Sequence, residues 1–314
     1  MAQVSTPLWS LILAGGDGIR LRPLTARIVG DARPKQFCPI LDGETLLDLT
    51  RRRVDLVSRF DRQAIVVSHA HEAYYRYLTS ELAPGRLVVQ PENRGTAPGI
   101  LYPLLRIRDL AGDVPVVVCP ADHYVSDDAA FMAYVSHAAE IVRQRSDLVV
   151  LLGIQAERPE TEYGWIEAAP APLALEGEPA FPIRRFWEKP SPKRAAALLA
   201  RGRLWNSFVM VGWTEAFLTL YRRSLPGLVA AFEPLRAALG TDAEAGEAER
   251  LYRILPEMNF SDRVLAVAAD QLATVRVKDV EWSDWGNADR VMESLARARR
   301  RPSWLSRVEL ASTA

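Results

Sequence analysis

The chain has 314 residues, 49% of them hydrophobic, with 39 Lys and Arg set against 39 Asp and Glu; this balance leaves no bulk field to draw it to nucleic acid or an anionic membrane, so any phosphate affinity has to be local. Length and apolar content suffice for a packed core in one large α/β domain or two smaller ones. No apolar run approaches the roughly 20 residues of a membrane span, and two cysteines, Cys38 and Cys119, are too few for a disulfide framework.

Residues 1–7 are short and polar, without a basic n-region, so no signal peptide is expected and the chain reads as soluble and cytoplasmic, its cysteines as small buried hydrophobes. Strands are predicted near 8–13, 63–68, 86–90, 114–118 and 148–153, separated by helical periodicity near 44–58, 71–82, 97–110 and 128–145. That alternation argues for βαβ units with right-handed crossovers: an α/β fold with a Rossmann-like open, mostly parallel sheet. In such sheets ligands lie beyond the carboxyl ends of the strands. The stretches 14–25, 90–96 and 119–123, each following a strand, are therefore expected to converge. From 154 onward, prolines and glycines break the chain around short alternating segments at 163–168 and 183–188, which read as inserted β-hairpins. C-terminal helices are expected near 191–200, 213–223, 227–239, 243–254 and 287–300, with one more strand near 272–277 and a surface loop at 170–181. The basic run Arg297, Arg299, Arg300 and Arg301 reads as a solvated helix end.

The chemistry-bearing segments begin with Leu13-Ala14-Gly15-Gly16-Asp17-Gly18-Ile19-Arg20, closed by Pro34-Lys35-Gln36-Phe37. Three glycines within four positions let backbone N–H groups approach a ligand with no Cβ in the way, and Arg20 and Lys35 add positive charge, so the run reads as a phosphate site. It has neither the dinucleotide fingerprint nor a P-loop. Gln90 to Pro98 follows a strand and opens a helix, offering Gln90 as an amide reader and Thr96 as an N-cap; alone, it reads as a capped helix. Asp122, just past a buried strand, suits a hard cation or a turn cap. His123 reads as a hydrogen-bonded structural histidine, and His69 and His71 likewise as structural. Gly164 in Tyr-Gly-Trp-Ile, the Glu188-Lys189 pair and Asn206 in Trp-Asn-Ser offer groups for sugar hydroxyls and phosphate, with Trp205 read as packing. Asp284, in Trp-Ser-Asp-Trp-Gly, is a second cation ligand or a helix cap.

In their order these motifs resemble the mannose-1-phosphate guanylyltransferases, within the sugar-phosphate nucleotidyltransferase superfamily, over roughly residues 8 to 290. The resemblance implies the nucleotide-diphospho-sugar transferase type of fold and transfer of a nucleotidyl group from a nucleoside triphosphate, GTP first, to a hexose 1-phosphate, mannose 1-phosphate first. It implies nucleotide contacts at Leu13, Ala14, Gly15, Gly16, Gly18, Gln90, Gly95 and Thr96, and sugar-phosphate contacts at Gly164, Glu188, Lys189 and Asn206. Arg20, Lys35, Asp122 and Asp284 become catalytic, the two aspartates as ligands of Mg²⁺ or Mn²⁺. Residues 1–154 become a nucleotide-binding half, 155–290 the sugar-phosphate half of the same domain, and 291–314 a C-terminal helix and tail. No nucleic-acid or membrane partner is expected, and a homo-oligomer is left open.

Three positions depart from the family pattern. Ile19 stands for a threonine, Trp187 for a valine, and Phe208 for a glycine. The first removes a hydroxyl near the phosphates, the second reads as repacking, and the third puts a bulky side chain beside the sugar pocket. Another base or hexose, or a catalytically idle nucleotide-sugar-binding subunit, therefore stand as alternatives.

Overall fold

The computed structural model describes residues 6–306, so residues 1–5 of the proposed leaderless start and 307–314 of the expected tail lie outside the described residues. The described residues form eleven strands: β1 (Trp9–Leu13), β2 (Gln63–Ser68), β3 (Leu87–Gln90), β4 (Pro115–Pro120), β5 (Tyr124–Val125), β6 (Val149–Gln155), β7 (Trp165–Ala168), β8 (Phe181–Trp187), β9 (Leu204–Trp213), β10 (Leu272–Val277) and β11 (Trp282–Ser283). Nine of them form one sheet in the order β3-β2-β1-β4-β9-β6-β10-β8-β7. The β1–β4 and β6–β10 pairings are parallel, whereas β9 lies antiparallel between β4 and β6. From the pairings, β8 and β9 alone run against the other seven, so the sheet is mostly parallel as expected.

Both faces of this sheet are covered, which is why its strands read as continuous apolar runs. Val116 and Val118 of β4 enter the core beneath the Thr96–Ala111 and Thr214–Ser224 helices, while Val117 and Cys119 enter the opposite core beneath the Asp128–Gln144 helix. Both cysteines are buried, and burial pushes their thiols up to about 12. A third core joins Leu21, Leu24 and Cys38 to Trp285, Leu295 and Trp304, so early and late segments of the chain share one apolar cluster. Among the described residues no helix is long and apolar enough to cross a membrane.

The principal element missed by sequence reasoning is β9. Its run Leu204 to Trp213 is interrupted by the polar Asn206-Ser207 and flows straight into a helix, yet it lies mid-sheet. The interruption is a β-bulge: pairing with β6 shifts between Leu151 and Gly153, Ser207 Oγ donates to the Leu152 carbonyl, and Phe208 takes φ 61°. β7 pairs a second time, with β9, closing β9, β6, β10, β8 and β7 into a ring. That closure covers edges that would otherwise offer unpaired backbone groups. Two other expectations are modified. The helix near 71–82 is two short pieces, Glu72–Tyr75 and Leu78–Glu81, and the one near 227–239 is split at Phe232, next to Pro234. An Arg22–Val29 helix, started by Pro23, was not expected.

If β9 is a central strand, Met210→Ala, which empties a fully buried position, should cost about 2–5 kcal/mol in urea unfolding. Arg184→Ala, on the exposed face of β8, should stay within about 0.5 kcal/mol.

Candidate active site

The carboxyl ends of β1, β2, β3 and β4 deliver the Gly-rich loop, His69–His71, Gln90 to Gly95 and Asp122 to one rim of the sheet, as the expected convergence requires. The Gly-rich loop is held from below. Gln36 Nε2 donates to the carbonyls of Ala14 (2.9 Å) and Gly16 (2.7 Å), and the Ala14 amide donates to the Val66 carbonyl. Asp17 is clasped from the side by Asn93 Nδ2 at 2.8 Å and His71 Nε2 at 3.2 Å. Burial lowers the His71 imidazole, with Asp17 opposing.

A cavity of about 240 Å³ opens here, lined by Leu13, Gly15, Gly16, Gln90, Gly95 and Thr96 among others. A Cβ on Gly15 would come within 2.7 Å of Gln90 Nε2, so the glycine allows that amide to lie against the loop. Gly95 has φ 85° and ψ 179°, a region open to glycine only, and its missing Cβ faces the Met258 carbonyl at 2.4 Å. Thr96 is not the N-cap. Gly95 holds that position, and Thr96 Oγ1 accepts instead from the Phe260 amide at 2.8 Å, because the 258–260 segment packs across the helix start.

Lys35 is buried on the far side of the loop. Its Nζ lies 3.2 Å from Asp122 Oδ2 and donates to the carbonyls of Asp284 and Trp285. The two aspartates come together because β5 and β11 pair, Tyr124 opposite Ser283 and Val125 opposite Trp282. Trp285 stacks on Tyr124 with centroids 5.1 Å apart. Asp284 does not cap the last helix; Asn287 does. Burial works against the Asp284 charge, but Lys35 and Arg290 more than offset it and hold the carboxyl below its usual range. Arg290 Nη1, the Gly286 amide and the Tyr163 hydroxyl all donate to Asp284 Oδ1, and Oδ2 accepts none of them.

Among the described residues no cluster of three or more His, Cys, Asp or Glu could hold a metal alone. Two carboxylates, one with an undonated oxygen, are nevertheless the donor set Mg²⁺ commonly takes when substrate phosphates supply further oxygens. His123, mostly shielded from solvent, lies edge-on to Trp282, 5.2 Å between centroids, and desolvation pulls it down to about 4. Its expected hydrogen bond is absent: Nδ1 has no partner and Nε2 stands 3.7 Å from Asp122 Oδ1. Arg20 is exposed and pairs with Glu162 at 2.6 Å.

Gly164, Glu188 and Asn206 also converge. The missing Gly164 Cβ would meet Phe186 Cζ at 2.7 Å, Glu188 Oε2 at 3.0 Å and Asn206 Cβ at 3.3 Å, and the Asn206 amide donates to the Gly164 carbonyl. Asn206 Oδ1 accepts from the Phe208 amide, leaving Nδ2 without an acceptor among the described residues. Lys189 is exposed and forms no ion pair with Glu188 among the described residues. Burial pushes the Glu188 carboxyl up to about 7, reinforced by Asp262 and opposed by Lys189 and Ser261. Phe208 occupies a left-handed backbone conformation that glycine would adopt without strain, and its ring meets Phe260 edge-on at 6.4 Å. Trp187 lies between the Arg185 and Arg194 guanidinium groups, and Trp205 packs edge-on against Tyr163 and Trp165. Ile19 is 68% exposed on the loop.

Sequence reasoning missed Arg290, the Tyr163 hydroxyl and the 258–262 segment as parts of this site. None had a local signal, since an arginine within an amphipathic helix reads as surface. Gln36 was visible only as a letter of its motif.

A family model described as Nucleotidyl transferase matches residues 9–300. The chain is similar to the xanthan biosynthesis protein XanB of Xanthomonas campestris pv. campestris (strain B100), 30% identical over 88% of this chain and 57% of that protein. It is also similar to the mannose-1-phosphate guanylyltransferase of Escherichia coli (strain K12), 28% identical over 91% of this chain and 59% of that protein. It therefore spans little more than half the length of these curated relatives. Among solved structures, that of mannose-1-phosphate geranyltransferase from Thermus thermophilus matches with TM-score 0.77 and 30% identity, covering 94% of this chain and 80% of that one. UDP-glucose pyrophosphorylase complexed with UDP-glucose, at 16% identity and TM-score 0.57 over 94% of this chain and 100% of that one, shares the fold.

The raised Glu188 carboxyl has a signed consequence. The fold favours its protonated form, a contribution complete below the ordinary glutamate value near 4.5 and lost as pH rises through about 7. Glu188→Gln should thus raise the melting temperature relative to the parent at pH 8 and leave it nearly unchanged at pH 4; equal effects at both would contradict the assignment.

Proposed function

The chain belongs to the nucleotidyl transferase family, and from that premise we propose that it transfers a guanylyl group from GTP to mannose 1-phosphate, releasing pyrophosphate. The observation that carries the reading is the pairing of neighbours in sequence: Gln36 holds the Gly-rich loop while Lys35 reaches both aspartate segments. In the proposed reaction an oxygen of the sugar phosphate attacks the α-phosphorus in line, forming one P–O bond as the bond to pyrophosphate breaks. That oxygen is already anionic, so no general base is required, and the site's work is positioning and charge stabilisation. His123, a weak base at about 4, fits this absence.

In this reading the Gly15-Gly16 backbone and Gln90 meet the nucleoside, and Arg20 and Lys35 face the triphosphate. The Arg20–Glu162 pair is half-exposed, and such pairs contribute about 0–1 kcal/mol, so phosphate can replace Glu162 at small cost. Asp122 and Asp284 would hold Mg²⁺ or Mn²⁺, which when bound neutralises phosphate charge in the transition state. Gly164 leaves room for the sugar, and Glu188 and the Asn206 amide donors meet its hydroxyls. The names of the guanylyltransferase relatives support the choice of GTP and mannose. The chain's two halves, 1–154 and 155–290, would then carry nucleotide and sugar phosphate respectively.

Pyrophosphate release, measured for each nucleoside triphosphate against a panel of hexose 1-phosphates, should be greatest with GTP and mannose 1-phosphate. Equal rates with glucose 1-phosphate would remove the mannose assignment. Asn206→Ala should narrow sugar discrimination while leaving GTP affinity by calorimetry near the parent's. Lys35→Ala should lower turnover on the order of 10²-fold or more; a rise in KM for GTP with turnover intact would reassign Lys35 to ground-state binding.

A further inference from the structure

We propose that Arg290 is a positioning residue: together with Tyr163 and the Gly286 amide it fixes one oxygen of Asp284 and so presents the other to the cation. This rests on the reading of Asp284 as a metal ligand. Three donors land on the same oxygen, Oδ1: Arg290 Nη1 at 2.8 Å, the Gly286 amide at 2.9 Å and the Tyr163 hydroxyl at 3.1 Å. A free carboxylate turns readily about its last torsion, which is broad and two-fold. Three donors converging from a helix, a turn and the bend before β7 stop that rotation. Gly286 protects the other side, because a Cβ there would stand 2.7 Å from Asp284 Oδ2 and 2.8 Å from Arg290 Nη1.

Arg290 is itself over-determined. It is 5% exposed, and its Nη2 donates to Glu160 Oε2 at 2.5 Å. The other Glu160 oxygen takes Arg158 Nε at 2.8 Å, and Arg158 is bound to Glu293 on the same helix as Arg290. Its guanidinium lies over the Tyr163 ring at 4.5 Å, and that ring is wedged between Trp205 and Trp282, each at 5.2 Å. A planar fork is what joins two carboxylates and an aromatic face from one head group; a lysine ammonium offers a point charge without that geometry.

The sign of the effect separates positioning from simple charge. Arg290 is a positive group beside a cation site, so Coulomb repulsion alone predicts that removing it tightens metal binding. Positioning predicts the reverse. Mn²⁺ titration of the full chain saturated with a non-hydrolysable GTP analogue, read from the Mn²⁺ EPR signal against the same titration of the analogue alone, decides between them. Arg290→Met should weaken Mn²⁺ binding on the order of 10-fold or more. Arg290→Lys, which keeps the charge and loses the fork, should fall with it. Tyr163→Phe, which removes one donor at nearly constant volume, should weaken binding in the same direction, and it carries the test if Arg290→Met does not fold. Asp284→Asn is the control. Unchanged or tighter binding in the Arg290 or Tyr163 variants, with binding lost in Asp284→Asn, overturns the positioning role alone; unchanged binding in Asp284→Asn overturns the metal reading and this proposal with it.

Discussion

A buried ammonium group organises this site. Lys35, in a single 3-10 turn, brings a positive charge into the interior, where an unpaired charge would be very costly. It is compensated by the Asp122 carboxylate and by the carbonyls of Asp284 and Trp285. Those partners lie far apart in the sequence, the Asp284 carbonyl 249 residues from Lys35, so satisfying one lysine obliges the chain to bring them together. The β5–β11 ladder and the apolar cluster of Leu21, Cys38, Trp285 and Trp304 make that approach possible. The same turn sends Gln36 the other way, to the carbonyls of Ala14 and Gly16. Loop, lysine and carboxylates are therefore joined in one hydrogen-bonded network.

The 258–262 segment plays a matching part between the two halves of the pocket. Met258 exchanges backbone hydrogen bonds with Arg94 and Ala97, and the Phe260 amide donates to Thr96, so the segment forms a wall of the cavity beside the Gly-rich loop. On its other side Ser261 and Asp262 act on Glu188, and Phe260 receives the ring of Phe208. Phe208 is held in a conformation that costs about 1–2 kcal/mol for a non-glycine residue. The contact with Phe260 is the visible compensation. A bulky residue at the bulge thus couples β9 to the 258–262 segment.

Charge in the site is graded by burial. Buried Lys35 pairs with Asp122 and buried Arg290 with Asp284, whereas Arg20 and Glu162 form an exposed pair that water already screens. The interior groups hold geometry, and the exposed pair can rearrange when an anion arrives. His123 is a mostly shielded ring near the two aspartates without a hydrogen bond to either among the described residues, so its contribution is packing against Trp282.

The amino-acid sequence by itself determined what depends on neighbours along the chain. The Gly-rich loop after the first strand, the alternation of apolar strands with helices and the order of the motifs follow from backbone sterics and hydrophobic period, and were legible without coordinates. Tertiary structure alone decided which groups remain free to act. Thr96 resembled a helix cap until a segment some 160 residues away took its hydroxyl. β9 became a strand because β4 and β6 supply pairing partners on both sides and the ring closes through β7. Glu188 became a raised carboxyl because Asp262 and burial surround it, and Arg290 became part of the site because Asp284 and Glu160 meet at its head group. Hydrogen bonds and desolvation act across space, so no pattern in the chain order could specify them.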